Sequence, residues 1–367
     1  FKVVSFLQKS KLARKLLGFL QKQNENSESS SATRGDVHAL EAFLGALTNP
    51  VGDGRVMICK KSDEKVGDGS FKFLMLNPAE HFNSVIRRAK AVVLAGGTMS
   101  PRSSVVDRLL ASVPTSEIHD FSCDHVITSD RLIALSLPTG PANGSFDFTF
   151  KSRGLPATLE QLGRAVMNIC RIAPKGAVVF FPSYAYEEAV FGHWESVGIV
   201  EKLQRIKPVF RENRDKTAET ILREYATGAT RDGALLSAIV GGKMSEGINF
   251  ADDLGRCVIM VGLPFANPSS VELGEMRSFI ERSLGQRAAD EFLEDMCMKA
   301  VNQSVGRVIR HAQDYAAILF LDVWYTQPRV IRKLPSWIQA SHSVASNFGQ
   351  AIGKIAHFFR SKGPSKI

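Results

Sequence analysis

Asn302-Gln303-Ser304-Val305-Gly306-Arg307-Val308-Ile309-Arg310-His311 is the stretch whose residue types and spacing most invite chemistry. Placed on a helix, positions three and four apart share one side, so Gln303, Gly306, Arg307 and Arg310 line a single face. Glycine there permits close approach, and two guanidiniums one turn apart can meet a polyanion. The planar, permanently charged fork of arginine suits the dispersed negative charge of a phosphoryl group in transfer. An amphipathic surface helix with two solvated arginines satisfies the same letters, so the rest of the chain has to decide.

Three other polar clusters each follow an apolar run. After residues 234–240 comes Gly241-Gly242-Lys243-Met244-Ser245-Glu246-Gly247-Ile248-Asn249-Phe250. The glycine pair frees the main chain to bring amides near an anion, and Lys243 adds a point charge. Glu246, an acid in a basic neighbourhood, suits positioning of Lys243 or an arginine better than service as a catalytic base. After residues 177–181 comes Pro182-Ser183-Tyr184, which offers two hydroxyls and a ring able to lie against a sugar or base. Residues 91–95, a continuous apolar run that predicts a strand buried on both faces, end in Gly96-Gly97-Thr98-Met99-Ser100-Pro101. Beyond the carboxyl ends of parallel strands lies the usual ligand crevice. Each cluster is also an ordinary turn; Ser100 as a cap with Pro101 opening a helix accounts for the last one.

The elements that must position these clusters alternate. Spacing predicts helices over 159–172, 187–197, 217–225, 271–284 and 288–309, and buried strands over 177–181, 234–240, 257–261 and 316–321. Alternation of this kind implies an α/β fold with a mostly parallel sheet covered on both faces. Upstream, residues 1–22 read as an amphipathic basic helix docking on its own protein, 23–35 as a flexible loop and 37–47 as a short helix. Residues 55–61 and 71–76 read as a strand pair bounded by Gly-Asp-Gly turns at 52–54 and 67–69.

A chain of 367 residues is long for one core, and 44% apolar with 23% charged residues is ordinary for a globular protein. The net charge of +9 favours an anionic partner such as nucleic acid, and is equally compatible with solubility or an acidic protein partner. Five widely separated cysteines form neither a disulfide framework nor a C-x-x-C pair, and read as reduced packing residues, so no metal ligands are assigned. No apolar run reaches membrane-spanning length, and no membrane role is expected. Because the first residue is Phe1, a piece of a longer polypeptide is expected.

Val93 to Met99, Phe180 to Tyr184, Gly242 to Phe250 and Met298 to Arg307 together resemble, in this order, motifs III, IV, V and VI of the XPD-like superfamily 2 iron–sulfur DNA helicases, a likeness running from Leu12 to Phe359. The resemblance implies a RecA-like second helicase lobe, preceded by a small mixed helical and strand segment. It implies the C-terminal part of an ATP-dependent 5′ to 3′ DNA helicase that couples hydrolysis to single-strand translocation and duplex unwinding. Arg307 and Arg310 would be arginine fingers reaching the γ-phosphate of ATP on the other lobe, with Gln303 beside them. Gly247, Glu246 and Gly306 would serve the ATP cleft and its coupling to DNA, and Thr98, Met99, Ser183, Tyr184, Lys243 and Ser245 the single-strand track.

By the same likeness, residues 1–78 are the return of the Arch-type insertion, 79–104 the last strand of lobe 1, 105–345 lobe 2 and 346–367 a basic, solvated tail. The implied cofactors are ATP with Mg2+ and an iron–sulfur cluster. Their main sites belong upstream, since the sequence holds neither G-x-x-x-x-G-K-[ST] nor D-E-A-H, and this chain alone is expected to be inactive. The implied partners are single-strand and forked DNA with replication-fork and cohesion proteins, acting as a nuclear monomer in chromosome cohesion and DNA repair. Asn249 departs from the Asp usual in the wider family, which puts any role needing a charge there in doubt. A truncated, non-catalytic nucleic-acid-binding or helicase-regulating module is the alternative. A dinucleotide-binding enzyme is set aside for want of G-x-G-x-x-G after residues 91–95.

Overall fold

The structure is a computed structural model that describes residues 34–47, 53–59, 70–96, 98–123, 125–212, 217–244, 250–267 and 269–363. The helix expected over 1–22, the turn at 67–69, and Ser245, Glu246 and Gly247 lie outside the described residues. Early in the chain, helix α1 (Arg34–Ala46) precedes an antiparallel pair, β1 (Gly54–Cys59) and β2 (Ser70–Met75), with Gly54 opposite Met75 and Cys59 opposite Ser70. Helix α2 (Pro78–Ile86) follows, opened by a proline whose missing N–H needs no partner at that position, and then the single turn α3 (Ser103–Val106).

The main body is a sheet of seven parallel strands in the order β5-β6-β4-β7-β8-β3-β9. These are β3 (Leu132–Leu137), β4 (Gly176–Phe181), β5 (Val209–Arg211), β6 (Ala234–Ile239), β7 (Cys257–Val261), β8 (Ala316–Leu321) and β9 (His342–Val344). Every residue of β4, β6, β7 and β8 is buried, as expected of parallel strands covered on both sides. Alternating side chains then build two layers. Val179, Ile259 and Leu319 pack with α4 (Pro156–Ile172), α5 (Tyr184–Ser196) and α6 (Ile199–Ile206). Val178, Val258 and Ile318 pack with α7 (Ala218–Thr230) and α9 (Gln286–Val305), while α8 (Val271–Leu284) pairs with α9 in a smaller cluster around Ile280 and Phe292. Trp194 closes the first layer fully buried, its indole N–H donated to the Leu159 carbonyl at 2.7 Å, so its one polar atom is satisfied.

The α/β expectation holds, with β7, β8 and α8 at the expected bounds. Four features differ. Residues 91–95 are not a strand: Val92, Val93 and Leu94 are exposed and no described segment pairs with them. An apolar run becomes a buried strand only beside a ladder partner, and no described strand of the seven-stranded sheet pairs with this one. Second, α9 stops at Val305 and does not continue to residue 309. Third, residues 346–363, the described part of the expected tail, do not form a solvated run. Helix α10 (Phe348–Lys362) is capped by the Asn347 side chain, which accepts from the Gln350 amide at 2.9 Å, and buries Phe348, Ala351, Ile355, Phe358 and Phe359 against the first layer. Its basic letters hid an apolar face at helical spacing. Fourth, β3, β5 and β9 were not foreseen, and Cys123 is exposed whereas Cys170, Cys257 and Cys297 are buried.

Candidate nucleotide and nucleic-acid interface

Parallel strands separate the candidate residues into two groups. At the carboxyl edge, β4 ends at Phe181 and Ser183 caps α5, its Oγ accepting from the Tyr186 amide at 3.2 Å. Tyr184 is half-buried and donates its hydroxyl to Glu212 Oε1 at 2.6 Å. On the neighbouring strand β6, the chain turns at Gly241, where φ is +70°, a conformation glycine adopts without steric cost. Gly242 is buried, Lys243 exposed and Met244 fully buried, so the turn presents the lysine outward on an apolar anchor.

At the amino edge, α9 runs antiparallel to the strands and delivers Gly306, Arg307 and Arg310 just before β8 begins at Ala316. Gln303 and Arg310 are exposed, Gly306 and Arg307 half-buried. Gly306 closes the helix with its amide on the Asn302 carbonyl at 2.9 Å. Beyond it the backbone leaves the helical path because other partners claim its groups: the Arg307 carbonyl accepts the Phe250 amide at 3.2 Å, and Asp314 Oδ2 accepts the Arg310 amide at 3.3 Å. The two arginines therefore do not share a helical face. They are held by tertiary hydrogen bonds instead.

Thr98 belongs to this second group and not to the carboxyl edge. A methyl at Gly306 would lie 3.9 Å from Thr98 Oγ1, and Asn302 Nδ2 donates to the Ser100 carbonyl at 3.2 Å and the Lys333 carbonyl at 2.8 Å. Ser103 also bonds Asp295 on the same helix, so residues 98–103 are clasped along α9; Met99 beside Thr98 is exposed. Strands of six residues at about 3.3 Å each put the two groups on the order of 20 Å apart.

Sequence reasoning missed the side chains that fix both groups. Asp314, 1% exposed, takes Arg256 Nη1 at 2.6 Å and the Tyr315 amide at 3.0 Å on Oδ1, and the amides of Arg310 and Asp252 at 3.3 and 3.4 Å on Oδ2. His311 Nε2 meets Asp252 Oδ1 at 2.9 Å, tightening the same junction. One buried carboxylate thus ties the loop entering β7 to the loop entering β8. At the opposite edge Asp322, after β8, accepts from the Trp324 and Leu263 amides at 3.0 and 3.3 Å, and burial pushes its carboxyl up to about 7. Acids such as Glu212, Asp314 and Asp322 carry no local signature, since charged residues in a loop read as solvated.

A helicase C-terminal domain is the class this fold and arrangement resemble: residues 166–341 match the helicase C-terminal domain family. The XPD helicase superposes with a TM-score of 0.55 at 15% identity, covering 84% of this chain and 51% of that one, and Xpd4 of S. tokodaii with 0.53 at 14%, covering 92% and 59%; both support the RecA-like lobe as a fold. In sequence the chain is similar to the C-terminal part of the ATP-dependent DNA helicases DDX11 and CHL1. Identity is 38% to DDX11 of Danio rerio over 99% of the chain, 39% to DDX11 of Mus musculus over 100%, and 36% to CHL1 of Meyerozyma guilliermondii over 100%. The chain covers 46%, 46% and 45% of those proteins, so it spans about half the length of the relatives it matches.

Proposed function

We propose that this chain is the second motor lobe of an ATP-dependent DNA helicase, with single-stranded DNA crossing the carboxyl edge and ATP from a facing lobe meeting the amino edge. One observation carries the reading. The segment after β6 starts beside Tyr184 and Lys243 at one edge, and by Phe250 it is hydrogen-bonded to Arg307 at the other. Nucleic acid and nucleotide would therefore pull on the same stretch of chain. Arg307 and Arg310 stabilise developing phosphoryl charge only when the lobes close, which makes hydrolysis depend on closure. Gln303 lies beside them, and Ser183, Tyr184 and Lys243 contact the strand.

The wider reading is a 5′ to 3′ helicase acting as a nuclear monomer on forked DNA in cohesion and repair. ATP with Mg2+ supplies the phosphoryl chemistry, and this chain contributes guanidiniums to it. The described cysteines do not fit an iron–sulfur cluster: Cys170, Cys257 and Cys297 are buried in apolar layers and Cys123 is exposed.

The test is fluorescence anisotropy of this chain with a labelled oligothymidylate across a salt series. Binding should weaken with salt, and Lys243→Ala should flatten the log–log slope by about 0.7, the value of one lost single-strand phosphate contact. Absence of binding at low salt would remove the nucleic-acid assignment.

A further inference from the structure

Glu212 stands where the edge strand β5 ends, and its side chain meets the end of β6 and the tyrosine that follows β4. It is 8% exposed, and three donors from three different places converge on its carboxylate. Tyr184 donates its hydroxyl to Oε1 at 2.6 Å, the Met244 amide approaches Oε1 at 3.4 Å, and the Ile239 amide donates to Oε2 at 3.0 Å. Its own amide is fixed on the Ser237 carbonyl at 2.9 Å. Among the described residues no lysine or arginine lies within 4 Å of it; the adjacent Arg211 is committed to Glu187 through two bonds of 2.8 Å. Gly242 lets the turn close over this carboxylate, since a methyl there would fall 2.8 and 2.9 Å from its two oxygens.

We infer that Glu212 is a positioning residue for the single-strand track: one buried carboxylate sets the Tyr184 ring and the turn bearing Lys243 at a fixed spacing, so that both engage the same strand. The inference rests on the nucleic-acid reading above and deepens it. Among the described residues this charge is met by two backbone amides and a tyrosine hydroxyl. Those groups belong to the two clusters that carry the candidate strand contacts. Removing the carboxylate takes the common acceptor away from the Tyr184 hydroxyl and the amides of Ile239 and Met244, and a phosphate contact made by Lys243 loses part of its preset geometry.

Glu212→Gln is the informative change because it preserves volume. Whichever way the amide turns, an NH2 group replaces one oxygen and faces either the Ile239 amide or the Tyr184 and Met244 donors. The chain itself, its Glu212→Gln and Tyr184→Phe variants and the double variant are titrated with labelled oligothymidylate across a salt series. The expected result is about tenfold weaker binding by Glu212→Gln, in line with one buried donor left unsatisfied, with a salt slope shallower by about 0.7. Tyr184→Phe should weaken binding in the wild-type background and have little further effect in Glu212→Gln. Wild-type affinity and slope in Glu212→Gln, with Lys243→Ala still flattening the slope, would overturn the inference and leave the nucleic-acid reading standing. Failure of the unaltered chain to bind would overturn both. Should Glu212→Gln not fold, Tyr184→Phe alone decides, since it removes only the hydroxyl: unchanged affinity and slope would refute the role.

Discussion

Asp314→Asn is the sharpest probe of the junction that holds Arg310. The carboxylate is 1% exposed and receives one guanidinium and three amides. In the asparagine the NH2 group settles least unfavourably at Oδ2, where the bonds from Arg310 and Asp252 are long, leaving two amides facing a donor at about 1 kcal/mol each. Oδ1 stays a carbonyl oxygen, so Arg256 keeps its 2.6 Å contact but loses the charge opposite it, while Asp253 at 3.3 Å and the Tyr315 carbonyl at 3.1 Å remain. That places the loss below the roughly 3–5 kcal/mol of a fully broken buried pair, at about 2. The total is about 4 kcal/mol, or about 10 °C in Tm for a unit of this size. Thermal melts and urea titration read it directly. The double variant Arg256→Met/Asp314→Asn should lose at least about 1 kcal/mol less than the sum of the singles, because each single strands its partner. A Tm within about 2 °C of wild type, or strict additivity, would refute the idea that Asp314 fixes this junction.

Arg310→Ala, in a protein containing both lobes, should lower DNA-stimulated ATP turnover about a thousandfold or more while sparing DNA affinity, and near-normal turnover would remove its assignment as a finger. Asp322 has a folded carboxyl raised from 3.8 to about 7, so the native state holds a proton that the unfolded chain has released, and stability should fall as pH rises through that window. Asp322→Asn removes this titration and should flatten the dependence of Tm on pH between about 5 and 7.5; an unaltered curve would assign the dependence elsewhere. Ile355→Ala, at a fully buried position of α10, should lower stability by about 3 kcal/mol in urea titration, whereas a solvated tail would show no change.

Composition and periodicity were enough for the α/β class and for most strands, because a strand buried on both faces needs a continuous apolar run and a covering helix needs one apolar stripe. Phe180 to Tyr184 and Gly241 to Lys243 were legible for the same reason: strand ends demand turn residues, and polar ones stand out there. Residues 91–95 show the limit. Their letters match those of a buried strand, yet Val93 is 86% exposed, since burial depends on which ladder is present. Helix α10 shows the opposite error, its lysines and arginine masking Ile355 and Phe359. Sequence placed Arg307 and Arg310 on one helical turn, whereas competing acceptors and donors on Phe250 and Asp314 pull them off it. Side-chain identity and local spacing determined which residues could meet phosphate. Only the tertiary structure decided how they are held, because Glu212, Asn302 and Asp314 act on groups distant in the chain, and a hydrogen bond to a remote amide leaves no periodic trace in the residues that make it.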